Sequence, residues 1–245
     1  MTYCVGILVD DGLAMIADTR TNAGVDNISS YKKLHITEVP GERVIAAATA
    51  GNLSVTQTAM SMVREGIRMP DTDKVETLLT VPSMFRAAQV VGHAIRTVRS
   101  QIAPSLVADN LKVDASVLLG GQIKGRTLRL YMIYSQGNFI ECGDDNPYLQ
   151  IGEFKYGKPI LDRALRRTTP MPEAIKLGLI SFDSTLRSNI AVGMPLDVMI
   201  CRRDMCETKQ RRILAGDEYF RGLGEQWSAA LKAAHESIEP PDWIA

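Results

Sequence analysis

The sequence predicts an α+β fold, a four-layer αββα sandwich in which two antiparallel sheets are stacked between helical layers. Strand-like segments follow one another through short turns and helical segments arrive in pairs, which favours antiparallel sheets over a doubly wound parallel sheet. The opening strand carries apolar residues on both faces, so it needs to be covered on both sides. We predict a single domain over residues 1–245, because the sequence shows no linker, repeat or low-complexity tract.

The first part of the chain predicts two hairpins. Their strands are expected at 3–9, 13–18, 33–39 and 43–51. The turn signals Asp10-Asp11-Gly12 and Pro40-Gly41-Glu42 join the strands of each hairpin. Residues 22–30 are polar and contain a glycine, so a loop is expected between the hairpins.

Helices and strands alternate in the rest of the chain. A helix is predicted at 53–67, and the next one carries a three/four-spaced apolar stripe of Phe85, Ala88, Val91, Ile95, Val98 and Ile102. The last helix starts after Asp217, a good N-cap, and its stripe is Phe220, Leu223, Trp227, Leu231, Ala234 and Ile238. The other predicted elements are strands at 113–119, 127–134 and 139–142, helices at 158–167 and 172–187, and strands at 196–202 and 208–215.

The composition excludes several classes of partner. Lysine plus arginine and aspartate plus glutamate both number 28, so the formal net charge is zero and no nucleic-acid or membrane partner is expected. The sequence contains no apolar stretch near the ~20 residues that span a bilayer. We expect no signal peptide and a cytoplasmic location. The four cysteines lack the spacing of a zinc site, so we expect free thiols and no metal.

The segment GEFKYGKP at 152–159 matches the phosphate-binding pattern G-x-x-x-x-G-K and lies between a plausible strand and a helix. Its eighth position is Pro159, where a serine or threonine would bind Mg²⁺. Proline has neither a hydroxyl nor an amide hydrogen, and it commonly occupies the first position of a helix. Nucleotide binding is therefore the weakest function that we consider.

Two common kinds of nucleophile are poorly supported. The sequence contains no G-x-S-x-G elbow, and His35, His93 and His235 occur singly rather than in a cluster. Cys4 falls within a strand pattern, which favours a small buried side chain over a reactive thiol.

Thr2 is a candidate nucleophile if Met1 is removed, because a terminal threonine carries its own base. The α-amino group has an unperturbed pKa of about 7.7–8.0 and can take the proton of the hydroxyl. A nearby lysine ammonium would favour the neutral amine, and a carboxylate would hold that lysine in place. Asp18 ends the strand that pairs with the first, and Lys33 begins the next, so these groups can converge. Taken alone, Asp18 also fits a plain strand end and Lys33 a solvated charge.

The motifs around these residues resemble the proteasome β-subunit family of N-terminal threonine hydrolases. The matching segments are T-x-x-VGI at 2–7, A-D-T-R at 17–20, K-K-L at 32–34 and A-G-N at 50–52. The segments most similar to the bacterial ancestral β-subunit group, Anbu, are IGEFKYGKPILDR at 151–163 and SFDSTLRSNIAVGMPLDV at 181–198. The resemblance covers nearly the whole chain and implies the N-terminal nucleophile hydrolase fold.

The resemblance also implies roles for single residues. Thr2 matches the nucleophile, Asp18 the strand-end carboxylate and Lys33 the second lysine of the K-K-L pair. Gly51 matches the glycine whose backbone N–H donates to the oxyanion.

Three residues match the family's substrate-binding positions. Thr21 falls where the substrate-binding strand begins, and Tyr31 and Thr49 fall where the first specificity pocket is lined.

The chain departs from the family pattern in two places. The relatives carry a serine loop where this chain has Gly152-Glu153, without a serine. They also carry Asp-x-x-Ser where Asp183 is followed here by Ser184 and Ser188. We assign Asp183 and Ser188 to the catalytic set on this match.

The resemblance implies a threonine peptidase without a metal or an organic cofactor. Its expected substrate is a peptide or an unfolded protein, and its expected partners are copies of itself in a ring or an open spiral, with an ATP-dependent unfoldase as a further candidate. Val63 and Ile67 are expected to face outward and support assembly. Two alternatives stay open: an amidase of the same fold for a small non-peptide amide, and a non-catalytic scaffold subunit.

Overall fold

The computed structural model describes residues 2–22, 28–108 and 113–244. The strands of the first half are β1 (Tyr3–Val9), β2 (Gly12–Asp18), β3 (Arg20–Asn22), β4 (Ile28–Ser30), β5 (Leu34–Val39), β6 (Arg43–Gly51), β7 (Ile67–Arg68) and β8 (Val75–Glu76). Those of the second half are β9 (Ala115–Ile123), β10 (Arg129–Ile133), β11 (Phe139–Glu141), β12 (Tyr148–Gly152), β13 (Leu196–Arg202) and β14 (Thr208–Ile213). The helices are α1 (Leu53–Glu65), α2 (Met84–Ala108), α3 (Lys158–Ala164), α4 (Met171–Ser188) and α5 (Glu218–Glu236), followed by a 3₁₀ turn at Asp242–Ile244.

Two five-stranded antiparallel sheets form the centre of the fold. The first sheet has the strand order β12-β1-β2-β13-β14, and the second has the order β11-β10-β9-β6-β5. The inner faces of the two sheets pack on each other through small and medium apolar side chains, among them Cys4, Leu13, Met15, Ala46, Ala48, Leu118 and Leu130. The prediction of two stacked antiparallel sheets is confirmed.

Helices cover the outer face of each sheet. The buried sides of α1 and α2 pack on the second sheet, and α3, α4 and α5 pack on the first. The layers are therefore helices, sheet, sheet and helices, which confirms the four-layer prediction. The assignment of residues 1–245 to one domain stays a prediction.

The opening strand has the two-sided burial that the sequence predicts, because all seven residues of β1 are buried. Tyr3, Val5 and Ile7 belong to the cluster under the helices, whereas Cys4 and Leu8 lie between the sheets. Side chains alternate along a strand. Thr2, directly before β1, therefore lies on the same face as Cys4 and points toward the second sheet.

The expectation that Val63 and Ile67 face outward is wrong. Both are buried in the core between the helices and the second sheet, with exposed fractions of 0% and 6%. α1 ends at Glu65 rather than at 67, because Gly66 adopts a φ of 113° and the chain turns into β7. This turn directs Ile67 back onto the core.

Two apolar stripes are less buried than their spacing predicts. Phe85 at the start of α2 is 53% exposed, and Leu231 in the second half of α5 is 51% exposed. In α5 only Leu223 and Gly224 are buried, so the apolar stripe continues beyond the surface that the first sheet covers. An amphipathic pattern predicts that a helix forms, but it does not predict how much of the length of that helix is covered by neighbouring elements.

The predicted loop at 22–30 is partly structured. β3 and β4 pair across it, with Arg20 opposite Ser30, and residues 23–27 lie outside the described residues. β12 corresponds to the plausible strand before the glycine-rich segment, and the sequence does not predict the short pair β7–β8.

All four cysteines are free and buried. Among the described residues, none of the helices combines the length and apolar character needed to cross a membrane.

Candidate active site

A buried aspartate at the end of β2 organises the site. One oxygen of Asp18, Oδ1, accepts hydrogen bonds from Lys33 Nζ at 2.8 Å and from the backbone amide of Tyr3 at 3.1 Å. The other, Oδ2, accepts one from the Gly193 amide at 3.3 Å. The Asp18 side chain is fully buried, so these donors replace the water that it loses on folding.

Lys33 is held from both sides. Its ammonium also donates to the carbonyl oxygen of Arg20 at 2.5 Å, and its side chain is 4% exposed. Its own carbonyl accepts the Thr49 amide at 3.0 Å and faces the Thr49 hydroxyl at 3.4 Å. These bonds tie Lys33 to β3 on one side and to β6 on the other.

Burial raises the pKa of the Asp18 carboxyl above its usual value, and the Lys33 ammonium is the main influence that opposes this rise. Asp18 therefore takes up a proton at a higher pH than an exposed aspartate does. The ion pair is lost as the pH falls through that raised value, and it is present above it.

Arg20 covers the loop that supplies the Gly193 amide. Its guanidinium donates to the carbonyl of Ile190 at 2.8 Å, and a Cβ at position 193 would lie 2.1 Å from Arg20 Nε. A Cβ there would require the Arg20 side chain to move away from this loop. Position 193 was not among the predicted site residues, and its one sequence signal is the glycine itself.

Thr2 lies one peptide unit from the buried pair. It is 8% exposed, and its carbonyl oxygen accepts the amide of Glu153 at 2.7 Å. The next amide in the chain, that of Tyr3, is the one bound to Asp18. The Thr2 hydroxyl makes no hydrogen bond with any residue that the structure describes.

Gly51 ends β6 on the same edge of the sandwich. Two residues before it, the Thr49 carbonyl faces the thiol of Cys4 at 3.8 Å, which brings the end of β6 close to the start of β1. Gly51 has a φ of 107°, and a Cβ there would lie 2.2 Å from the carbonyl oxygen of Asp114. The following residue, Asn52, caps α1 by accepting two backbone amides. The end of β6 is therefore fixed by both β9 and α1.

Hydrogen bonds link Asp18 with Lys33 and with the amide that follows Thr2, and Lys33 is bonded to Thr49, two residues before Gly51, whereas Asp183 has other partners. The Asp183 carboxylate pairs with Arg187 at 2.9 Å and faces α5, where a Cβ at position 224 would lie 2.4 Å from it. Ser188 is exposed and forms the last residue of α4. Catalytic roles for Asp183 and Ser188 stay predictions.

The predicted substrate-binding residues lie on segments that neighbour the pair in the chain or contact it. Thr21 lies in β3 opposite Ser29, and Tyr31 is 42% exposed with its amide bonded to the Thr19 carbonyl. Thr49 is buried and bonded to Lys33, as described above. Their roles also stay predictions.

The glycine-rich segment at 152–159 is engaged in packing. Lys158, the lysine of the phosphate-binding pattern, donates to both carboxylate oxygens of Asp162, at 2.8 Å and 2.9 Å, and to the Tyr148 hydroxyl at 3.1 Å. These contacts account for the lysine without a phosphate, so the structure gives the nucleotide alternative no support.

No family model matches the chain, and no curated protein does. Solved structures do match it over nearly their full length. An Anbu (Gly-1) mutant from Hyphomicrobium sp. strain MC1 is 50% identical with a TM-score of 0.89, covering 99% of this chain and 100% of that one. Anbu (ancestral beta-subunit) from Yersinia bercovieri is 44% identical with a TM-score of 0.89, covering 98% and 99%. The helical assembly of the Anbu complex from Pseudomonas aeruginosa is 41% identical with a TM-score of 0.90, covering 99% and 100%.

The steric constraint at Gly51 can be measured with a matched glycine. We expect Gly51→Ala to lower the free energy of unfolding by at least about 3 kcal/mol, because an unfavourable φ is combined with a collision against a backbone carbonyl. Gly41→Ala, at a φ of 71° with no atom within 4 Å of the new Cβ, should cost only about 1 kcal/mol. Denaturant unfolding of both variants measures the difference, and equal losses would contradict the crowding at Gly51.

Proposed function

We propose that this chain, which belongs to the Anbu family of proteasome-β-like proteins, is an N-terminal threonine hydrolase that cleaves peptide or amide bonds. The observation that carries the proposal is the buried ion pair of Lys33 and Asp18, bonded directly to the amide that follows Thr2. A buried, paired charge next to an unbonded hydroxyl is the arrangement that lowers the cost of activating a weak nucleophile.

In the proposed mechanism the residue before Thr2 has been removed, and Thr2 carries the terminal amine. The amine takes the hydroxyl proton while Oγ attacks the substrate carbonyl carbon. The carbonyl oxygen becomes an oxyanion, to which the Gly51 N–H donates a hydrogen bond. Collapse of this intermediate breaks the C–N bond, and the leaving nitrogen takes the proton from the ammonium. Water then attacks the threonyl ester by the same route and releases the acid and free Thr2.

The Lys33 ammonium favours the neutral amine and the developing alkoxide, because a positive charge nearby disfavours a second one. Asp18 pairs with the Lys33 ammonium and fixes its position. No step of this mechanism uses a metal or an organic cofactor. Thr21, Tyr31 and Thr49 are proposed to bind the acyl side of the substrate.

We also propose that the chain assembles with copies of itself. The Pseudomonas aeruginosa relative is described as a helical assembly of the Anbu complex. Head-to-tail contacts close into a ring or continue as a spiral according to the rotation between subunits. An active site enclosed by such an assembly would not reach folded proteins in the cytoplasm, so they would not be hydrolysed. An ATP-dependent unfoldase could supply the assembly with unfolded chains.

The scaffold and amidase alternatives give different results in one experiment. We expect a threonine-directed electrophile to form a covalent adduct that intact and peptide mass spectrometry locate on Thr2. Thr2→Ala should lose both the adduct and all hydrolysis of peptides, whereas Thr58→Ala, at an exposed position of α1, should keep both.

The free amine is tested in the same assay. One extra residue before Thr2 should abolish activity, since acylation removes the lone pair that serves as base, and trimming should restore it. Full activity in protein whose measured mass retains a residue before Thr2 would rule out the mechanism. An adduct without peptide hydrolysis would favour the small-amide alternative, and no adduct would favour the scaffold.

The ion pair should behave as a unit. We expect Asp18→Asn and Lys33→Ala each to lower kcat/KM by roughly a hundredfold or more, because both misplace the amine, and the double variant to be little worse than either. The exposed pair Lys158–Asp162 offers a matched control, in which the same substitutions should have small and additive effects. Additive losses at Asp18 and Lys33 in folded protein would contradict their coupling.

Assembly is tested by light scattering at micromolar concentration. We expect masses that are multiples of the 26.9 kDa chain and that rise with concentration if the contacts form an open spiral. A single 26.9 kDa species across the concentration range would overturn the assembly proposal.

A further inference from the structure

A second acidic residue, Glu153, contacts Thr2 through its backbone. The antiparallel register of β1 and β12 pairs Tyr3 with Gly152, the last residue of β12. The Glu153 amide then donates to the Thr2 carbonyl at 2.7 Å, so Glu153 lies next to the start of β1. Glu153 stands where the family pattern has its serine loop.

The Glu153 side chain is held by the loop that follows α4. Its Oε2 accepts a hydrogen bond from Asn189 Nδ2 at 3.1 Å, and Asn189 Oδ1 in turn accepts the Ala191 amide at 3.0 Å. Two residues further, the Gly193 amide binds Asp18. One short loop therefore binds two carboxylates, and the residues that carry them each make a hydrogen bond with the backbone of the Thr2–Tyr3 segment.

The surrounding charges leave Glu153 without a cationic partner among the described residues. The charged residues that neighbour Glu153 in the chain, or that lie in α4 and in the contacts described above, are Asp18, Arg20, Lys33, Lys155, Glu173, Lys176, Asp183 and Arg187. Lys33 forms an ion pair with Asp18, and Arg187 forms one with Asp183. Arg20 donates a hydrogen bond to the Ile190 carbonyl. The described side-chain partner of Glu153 is the neutral amide of Asn189. A half-buried carboxylate in this state can still stabilise a positive charge nearby.

We propose that Glu153 is a positioning residue that orients the terminal amine of Thr2 and stabilises its protonated form. The proposal rests on the proposed function, because it needs Thr2 to carry a free amine. During attack the amine becomes an ammonium and must hold the proton until the leaving nitrogen takes it. A fixed carboxylate lowers the energy of that ammonium, whereas Lys33 raises it, so the two charges together set how strong a base the amine is.

The first test is a titration of the amine that needs no turnover. Protein is released from a fusion partner cleaved directly before Thr2, and trace acylation with acetic anhydride is followed by mass spectrometry of the N-terminal peptide as a function of pH. We expect Glu153→Gln to lower the midpoint of amine titration by roughly half a unit to one unit, since a neutral amide no longer stabilises the ammonium. Glu153→Asp should keep most of the wild-type midpoint.

The matched control is Glu65→Gln, which removes an exposed carboxylate at the end of α1 and should leave the midpoint unchanged. Glu153→Ala gives a second measurement with the same expected direction if the glutamine variant does not fold. A midpoint that stays the same or rises when the Glu153 carboxylate is removed overturns the proposal.

The second test uses the pH profile of kcat/KM. In Glu153→Gln the acid limb should move to lower pH together with the amine titration, and the plateau should fall roughly threefold to tenfold because the base is weaker. A fallen plateau with an unmoved acid limb would indicate a structural role only and would contradict the proposal. The two proposals are contradicted by different results. If wild-type protein with a free Thr2 amine hydrolyses no substrate, the proposed function is wrong. If the amine titration does not shift in Glu153→Gln, the proposed role of Glu153 is wrong.

Discussion

The buried ion pair between Lys33 and Asp18 is the interaction on which the rest of the site depends. Each ion loses hydration worth several kcal/mol, and only close pairing with further hydrogen bonds recovers that loss. Here the recovery comes from the backbone: amides from β1 and from the loop before β13 bind the carboxylate, and a carbonyl of β3 binds the ammonium. The pair can stay buried only while these three segments keep their register.

This requirement also explains how the backbone is held at Thr2 and Tyr3. Chain termini usually fray, because few contacts restrain them. In this fold the amide of Tyr3 is a ligand of the buried carboxylate, and the carbonyl of Thr2 is bonded to β12. The backbone is thus fixed on both sides of the Thr2–Tyr3 peptide bond. The position of the Thr2 backbone follows from these bonds, and rotation about χ1 then decides where the hydroxyl lies.

Periodicity in the sequence predicts the two sheets, most helices and the convergence of Asp18 with Lys33, because each depends on residue type and spacing along the chain. The contribution of Gly193 could not be predicted, since any residue carries an amide and only the folded loop decides where it points. Glu153 was noticed only as a missing serine, because its partner Asn189 is distant in sequence. The burial of Val63 was missed because a helix pattern does not state how much of the helix surface the neighbouring elements cover, and that of Ile67 because the chain turns at Gly66 into β7.

The proposed mechanism places two opposite requirements on the amine of Thr2. The amine must be neutral before the hydroxyl attacks the substrate, and it must hold a proton while the attack takes place. A cation alone would satisfy the first demand by making the base weaker, and an anion alone would satisfy the second by keeping the amine protonated at rest. In the proposed site the opposite charges of Lys33 and Glu153 act on the same amine, so each limits the effect of the other on its strength as a base. The loop after α4 binds Asp18 and Glu153 together, so a single segment sets the balance between the two charges.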